Sequence, residues 1–138
     1  GKKVSGPQDR IRIIKPMYRI KVRRSFGSAH RLRHYRGKCE NLHGHNWDVE
    51  VTAASEKLDR LGMVMDFGIL KDNLDKVLSV LDHKYLNRLP AFSKKNPSSE
   101  NVAEYIYHEL EKKIGKKFLL VEVSVAETPS NIAVYTPD

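Results

Sequence analysis

Cysteine is almost absent from this 138-residue sequence, in which Cys39 is the only one. A single cysteine excludes an intramolecular disulfide, and with it the class of small disulfide-rich scaffolds, so we expect a reducing, cytoplasmic setting. The sequence also lacks any apolar run near the roughly 18 residues that a transmembrane helix needs, so we expect no membrane partner. Hydrophobic residues make up 40% and charged residues 30% of the chain, which is typical of a folded globular domain.

Acidic residues are scarce at one end of the chain. Residues 1–24 hold nine Lys or Arg side chains and one acid, Asp9, whereas residues 25–138 hold sixteen of each sign. The formal charge of +8 therefore belongs to the first 24 residues, and we expect a basic arm over 1–15 and a single domain over 16–138. A basic arm can bind nucleic acid, but it is more often a solvated tail, so we expect no such partner. A smaller basic cluster would suit an anionic small molecule and comprises Arg31, Arg33, Arg36 and Lys38.

Four stretches of the sequence have the pattern of β-strands. Apolar side chains recur at every second residue, or nearly so, at residues 17–26, 43–53, 119–125 and 132–135. The first three alternate with polar or charged side chains, which predicts strands with one buried face. The fourth is short and follows Pro129.

Between these strands, the period changes to that of helices. From Phe67 onward, leucines and valines recur every three or four residues, which indicates an amphipathic helix. A second helix is predicted to start at a Ser98 or Ser99 N-cap and to end at Gly115. The predicted fold class is α+β, a four-stranded antiparallel sheet with two helices on one face. Such a sheet has two open edges, which suggests that assembly covers them.

The stretch around His43 has the pattern of half a metal site. His43 and His45 are two residues apart on a predicted strand, so both imidazoles project from the same face. His30, which follows the first predicted strand, has the parity of that strand's apolar side chains and can supply a third nitrogen. A catalytic zinc usually takes three protein ligands and keeps a fourth position open. The sequence predicts such a zinc site, with a pair of ordinary half-buried histidines as the alternative.

Three further features can carry chemistry, and each has a plainer alternative. Cys39 lies four residues before His43 and is a candidate base or nucleophile, a fourth zinc ligand, or an inert thiol. Asp82 beside His83 can orient the imidazole and form a proton relay, although this pair is common in proteins. Glu127 ends an apolar strand face, either as a surface residue or as an acceptor for the N–H groups of a guanidine-like ring edge.

Six motifs occur in an order that resembles the 6-pyruvoyltetrahydropterin synthase / 6-carboxytetrahydropterin synthase family. They are a strand-ending histidine, Cys-x-x-x-His-Gly-His, Asp-Phe-x-x-Leu-Lys, Leu-Asp-His-x-x-Leu-Asn, Asn-Pro-Ser/Thr-Ser-Glu and Glu-Thr-Pro, found here at residues 28–30, 39–45, 66–71, 81–87, 96–100 and 127–129. The match runs from Met17 to Tyr135. One mild departure is Phe-Gly-Ser-Ala-His at residues 26–30, where the family often has Phe-Ser-Ala-Ala-His.

The resemblance implies the tunnelling fold, in which strands of three subunits close a barrel and two trimers stack into a homohexamer. Matching positions also imply a role for each motif residue. Zinc would be bound by His30, His43 and His45, and Cys39 would be the general base. Asp82 and His83 would form a proton relay, and Glu127 would anchor the pterin with backbone groups around Ser98 and Ser99. The relay would come from a neighbouring subunit. Zinc is the cofactor that the resemblance implies.

The implied activity is that of a lyase acting on 7,8-dihydroneopterin triphosphate. We expect the queuosine-pathway (7-deazaguanine) reaction, which gives 6-carboxy-5,6,7,8-tetrahydropterin with loss of acetaldehyde and triphosphate. Glu40 is an alternative base, because one branch of the family uses a glutamate at this position to form 6-hydroxymethyl-7,8-dihydropterin for folate synthesis. The pyruvoyl-forming reaction is a further alternative. A non-catalytic nucleic-acid-binding protein on the same fold would account for the basic arm but not for the six motifs.

Overall fold

Two long antiparallel strands form the centre of the sheet. In this computed structural model, which describes residues 17–35 and 41–137, strand β1 spans Tyr18–His30 and strand β2 spans His43–Ser55. The two strands pair along their whole length, up to His30 opposite His43. Both predicted strands are confirmed, and β1 continues past residue 26 so that it ends on a predicted zinc ligand. The predicted basic arm, residues 1–15, lies outside the described residues.

The sheet has five strands and is mixed, so the prediction of a four-stranded antiparallel sheet is wrong. Strand β4 (Leu119–Thr128) pairs antiparallel with β2, and β5 (Asn131–Tyr135) pairs antiparallel with β4. The extra strand, β3 (Lys84–Tyr85), runs parallel to β1, and the order is β3-β1-β2-β4-β5. A strand of two residues contains no alternation that a sequence pattern could reveal. It forms because the backbone N–H of His83 donates to the carbonyl of Gly27 on β1, at 2.6 Å.

Helix α1 begins at the predicted residue, Phe67. It spans Phe67–Leu81, and the carboxylate of Asp66 caps it by accepting a hydrogen bond from the backbone N–H of Gly68 at 2.6 Å. Its buried residues fall at the predicted three- and four-residue spacing and are Leu70, Leu74, Val77, Leu78 and Leu81. Two short 3₁₀ helices, Leu86–Arg88 and Pro90–Phe92, then lead towards the second helix.

Helix α2 spans Ser99–Ile114 and starts at the first of its two candidate caps. The hydroxyl oxygen of Ser98 accepts a hydrogen bond from the backbone N–H of Asn101 at 3.2 Å. The helix ends at Gly115, whose φ of 73° lies in the left-handed region that glycine adopts without a steric penalty. No helix in the described part of the chain is long and apolar enough to cross a membrane.

The core lies between one face of the sheet and the two helices, as predicted. Alternate residues of β1 and β2 point into it, each at most 3% exposed, namely Val22, Phe26, Trp47, Val49 and Val51. The predicted strand parity is therefore confirmed. The indole N–H of Trp47 donates to the carbonyl of Ser28 at 3.2 Å, which ties the largest core side chain to the end of β1.

Among residues 17–35 and 41–137, neither edge of the sheet has a full strand partner. At one edge, β5 exposes Ile132 and Val134, which are 61% and 55% accessible. At the other edge, β3 pairs only with Ser28 and Ala29 of β1. Strand edges with exposed apolar side chains are surfaces that a further chain can cover.

Candidate metal centre

Three histidines from neighbouring strands converge on one carboxylate. His30 ends β1 opposite His43, which begins β2, and His45 lies two residues further on the same face. Glu127, near the end of β4, reaches this point because β4 pairs with β2. Its Oε1 lies 2.8 Å from His30 Nε2, 2.9 Å from His45 Nε2 and 3.5 Å from His43 Nε2. One candidate ligand atom from each of the four residues falls within 4.8 Å of the others, so they form a single cluster.

The imidazole of His30 is held in the orientation that a metal ligand needs. It is 2% exposed and packs edge-on against Trp47, with ring centroids 4.7 Å apart. Its Nδ1 lies 2.7 Å from the carbonyl oxygen of Pro97, and because a carbonyl only accepts, Nδ1 carries the proton. The Nδ1 of His43 lies 2.9 Å from the carbonyl oxygen of Asn41. Such carbonyl partners fix the tautomer of ligating histidines and leave Nε2 for the metal.

Glu127 is held as a carboxylate between the histidines and helix α2. Burial raises the pKa of its carboxyl group, but the hydrogen bond from His30 and the charges of His30 and His45 outweigh burial, so this pKa lies below its usual value. Its other oxygen, Oε2, accepts a hydrogen bond from the hydroxyl of Ser99 at 3.4 Å. The two oxygens of Glu127 thus have different partners.

This set of donor groups fits a zinc ion. Protein zinc sites use imidazole nitrogens and carboxylate oxygens, and catalytic sites combine three protein ligands with one open position. The three histidines supply such a set, and the carboxylate of Glu127 is a further oxygen within the same cluster. The structure places the three predicted zinc ligands His30, His43 and His45 next to one another.

The sequence pattern leaves Glu127 as a surface residue or an acceptor, the family resemblance implies that it anchors the pterin, and neither predicts its place beside the histidines. The sequence does contain one signal of this place. Glu127 has the same strand parity as the buried Val123 and Val125, which puts its carboxylate on their face of the sheet. That signal identifies a partner only once the pairing of β4 with β2 is known.

Asp82 and His83 form the predicted pair, but they are not part of the four-residue cluster. Asp82 Oδ2 lies 3.0 Å from His83 Nδ1, and Asp82 Oδ1 accepts the backbone N–H of Gly27 at 2.9 Å. The hydrogen bond from Gly27 lowers the pKa of Asp82 more than burial raises it, and contact with His83 lowers it further. The side chain of His83 is 88% exposed, so the imidazole points away from the core of its own chain.

The two serines predicted at the substrate site have different roles in the structure. The Ser98 hydroxyl caps α2, whereas the Ser99 hydroxyl contacts Glu127. Beside them lies a groove of about 380 Å³ between the start of α2 and strand β5, lined in part by Ser99, Glu127 and Asn131. The structure therefore places Ser99 and Glu127 side by side at an accessible surface.

Cys39 and Glu40, the two candidate bases, lie outside the described residues, as do Arg36 and Lys38. Arg31 and Arg33 of the predicted basic cluster lie within the described residues. The guanidinium of Arg33 donates to the backbone carbonyls of Asn87 at 2.8 Å and Lys95 at 3.4 Å, so it binds the protein's own backbone.

A known family matches nearly the whole chain. The family model described as 6-pyruvoyl tetrahydropterin synthase covers residues 19–138. A 6-carboxy-5,6,7,8-tetrahydropterin synthase of Synechocystis sp. is 44% identical over 92 residues, which are 63% of this chain and 70% of that protein. A 6-pyruvoyl tetrahydrobiopterin synthase of Drosophila melanogaster is 35% identical over 134 residues, 87% of this chain and 80% of that protein.

Solved structures share the fold. The 6-pyruvoyl tetrahydropterin synthase of Caenorhabditis elegans superposes with a TM-score of 0.79 at 32% identity, over 90% of this chain and 98% of that one. The Plasmodium vivax enzyme of the same name gives a TM-score of 0.74 at 25% identity, over 88% and 98% of the two chains. With the family model and these relatives in agreement, the chain belongs to the 6-pyruvoyl tetrahydropterin synthase family and is an enzyme of the pterin synthase type.

Proposed function

We propose that the chain is a zinc-dependent lyase that converts 7,8-dihydroneopterin triphosphate to 6-carboxy-5,6,7,8-tetrahydropterin, with loss of acetaldehyde and triphosphate. The observation that carries this proposal is the convergence of three histidine nitrogens on Glu127 at the end of the sheet. The name of the Synechocystis relative supports the carboxy product over the other products of the family.

In this proposal, His30, His43 and His45 hold zinc, and Glu127 anchors the pterin. When bound, zinc supplies Lewis acidity towards the side-chain hydroxyls of the substrate. Oε2 of Glu127, on the Ser99 side, is the oxygen that accepts the N–H groups of the ring edge, because Oε1 already faces the histidines. The adjoining groove of about 380 Å³ is within the size range of small-molecule sites, and Ser99 and Glu100 line this side of it.

Two groups of the chain move protons in the proposed reaction. Cys39, as a thiolate, removes a proton from the substrate side chain, a role that suits a reducing cytoplasmic compartment. His83 carries out the complementary transfer, and Asp82 holds its imidazole through the 3.0 Å contact at Nδ1. The Nε2 of His83 is then the atom that exchanges a proton with the substrate.

We further propose that the enzyme is a homohexamer, a dimer of trimers with a barrel closed by strands of three chains. The exposed Ile132 and Val134 on β5 support this, because packing of further chains around this edge strand would cover apolar side chains that the single chain leaves accessible. The exposure of His83 supports it too, since an imidazole that points into solvent is available to the site of a neighbouring copy.

The alternatives differ in their products. The name of the Drosophila relative favours a pyruvoyl product, and Glu40 would favour 6-hydroxymethyl-7,8-dihydropterin. Mass spectrometry of the products formed from 7,8-dihydroneopterin triphosphate by the zinc-loaded full chain separates the three. We expect the carboxy product together with acetaldehyde, and no product from a His45→Ala variant. The pyruvoyl or the hydroxymethyl product would assign the enzyme to the corresponding reaction instead.

The nucleic-acid alternative predicts a different result. The chain would then bind RNA in a salt-dependent way without turnover, and deleting residues 1–15 would abolish this binding.

A further inference from the structure

Beyond His30, where β1 ends, two asparagine side chains bind the backbone of the segment that follows. The side-chain amide of Asn87 makes two hydrogen bonds to the backbone of Arg31. Its Oδ1 accepts the N–H of Arg31 at 2.9 Å, and its Nδ2 donates to the carbonyl of Arg31 at 2.9 Å. Asn87 is 9% exposed, so this amide is nearly buried and both of its polar atoms are satisfied.

Asn96 repeats the same arrangement two residues further along. Its Oδ1 accepts the N–H of Arg33 at 2.8 Å, and its Nδ2 donates to the carbonyl of Arg33 at 3.0 Å. Arg31 and Arg33 are thus each held through both the backbone N–H and the backbone carbonyl. The two amides act as a clamp on the segment that follows His30, beyond the pairing of β3 with Ser28 and Ala29.

The clamp connects to His30 from two directions. Arg31, held by Asn87, directly follows His30. Pro97, which directly follows Asn96, supplies the carbonyl that accepts the Nδ1 proton of His30 at 2.7 Å. Asn96 is braced in turn by helix α2, because its own carbonyl accepts from the side-chain amide of Asn101 at 2.8 Å. A shift in either asparagine would therefore move the backbone or the hydrogen-bond partner of this histidine.

We infer that Asn87 and Asn96 are positioning residues, whose amides hold His30 in the orientation in which its Nε2 binds the metal. This inference rests on the proposed metal site at His30, His43 and His45. Groups that orient a metal ligand without touching the metal commonly change metal affinity by about 10- to 100-fold when they are replaced. An amide that only stabilised the fold would lower the melting temperature and leave the affinity of the folded protein unchanged.

Titration of the metal-free full chain with Co²⁺, followed by its visible absorption, tests the inference without an activity assay. We expect Asn87→Asp and Asn96→Asp to weaken Co²⁺ binding by about 10- to 100-fold and to alter the spectrum, because each puts a carboxylate oxygen against a backbone carbonyl. Asn87→Ala and Asn96→Ala each remove both hydrogen bonds of the amide without adding charge. We expect these variants to bind Co²⁺ more weakly as well.

Two controls separate positioning from stability. Asn73→Asp makes the same chemical change on α1, where the amide donates only to the carbonyl of Ile69, and is expected to leave Co²⁺ affinity unchanged. Leu74→Ala opens a cavity in the core and is expected to lower the melting temperature while the folded protein keeps wild-type affinity.

Each result decides a different question. Wild-type affinity in the folded Asn87 and Asn96 variants would overturn the inference and leave the proposed function intact. An equal loss of affinity in Leu74→Ala would overturn it as well, because general destabilisation would then be the cause. Failure of the wild-type chain to bind Co²⁺ would overturn the proposed metal site itself. If an Asn87 variant does not fold, the Co²⁺ affinities of Asn96→Asp and Asn96→Ala test the inference.

Discussion

Glu127 Oε1 lies 2.8 Å from His30 Nε2, although 97 positions separate these residues in the sequence. The sheet brings them together, because β2 pairs with β1 on one side and with β4 on the other. Both side chains therefore project from strands of the same sheet. Sites built on strands hold their geometry better than sites built on loops, which suits a metal centre.

Replacing Glu127 by Gln is expected to separate substrate binding from metal binding. The three histidines should still hold zinc, whereas the KM for 7,8-dihydroneopterin triphosphate should rise by about 10- to 100-fold, because a hydrogen bond to a charged group contributes about 1.5–3 kcal/mol. Zinc content and steady-state kinetics measure the two effects, and Glu104→Gln on α2, where the partly exposed carboxylate contacts Lys95 and His108, is a matched control. Loss of zinc with an unchanged KM would instead make Glu127 a metal ligand.

Asp82 is expected to stabilise the fold in a pH-dependent way. Its pKa lies below the usual value of 3.8, chiefly because Gly27 donates a hydrogen bond to the carboxylate. A carboxyl group whose pKa is lower in the folded state contributes stability above its unfolded-state pKa and loses it as the pH falls through its folded-state pKa. Asp82→Asn should therefore melt below the wild-type protein at pH 7, and the difference should shrink below about pH 3.8. A difference that stays constant or grows on acidification would contradict this.

If Cys39 and His83 of one active site come from different chains, mixing two inactive variants should restore part of the activity. Cys39→Ala and His83→Ala subunits, unfolded together and reassembled, are expected to regain about a quarter of wild-type activity, because random mixing places an intact Cys39 opposite an intact His83 at that fraction of interfaces. Each variant reassembled alone is the control. No recovery in a mixture of confirmed hexamers would mean that both residues serve the site of one chain.

The two candidate bases should differ in which product depends on them. Cys39→Ala is expected to lower formation of the carboxy product by about 100-fold or more, as for the loss of a general base. Glu40→Ala should leave that reaction largely intact and remove any 6-hydroxymethyl-7,8-dihydropterin. Product analysis by mass spectrometry measures both. An essential Glu40 with a dispensable Cys39 would place the enzyme in the folate branch.

Periodic features of the fold could be predicted from the sequence, and isolated contacts could not. The alternation in β1 and β2 predicts that His30, His43 and His45 share one face, and the leucine spacing predicts α1. These predictions hold because burial imposes a period on side chains. The two-residue β3 has no period, so the mixed sheet could not be foreseen.

The supporting contacts of the site also lie beyond sequence patterns. Nothing in the sequence tells which carbonyl accepts the proton of His30 Nδ1, or that Asn87 and Asn96 bind backbone groups more than fifty residues away. Such hydrogen bonds depend on strand pairing and on the path of loops. They become visible only when the chain is folded.

The backbone of His83 has a φ of 55°, a conformation that is natural for glycine and costs other residues about 1–2 kcal/mol. Its side chain is almost fully exposed, so burial of the ring does not repay this cost. A glycine here would relieve the strain, and the chain would be more stable but would have no imidazole to present. Under the proposed function, position 83 is therefore a site where stability and activity make opposite demands on the residue type.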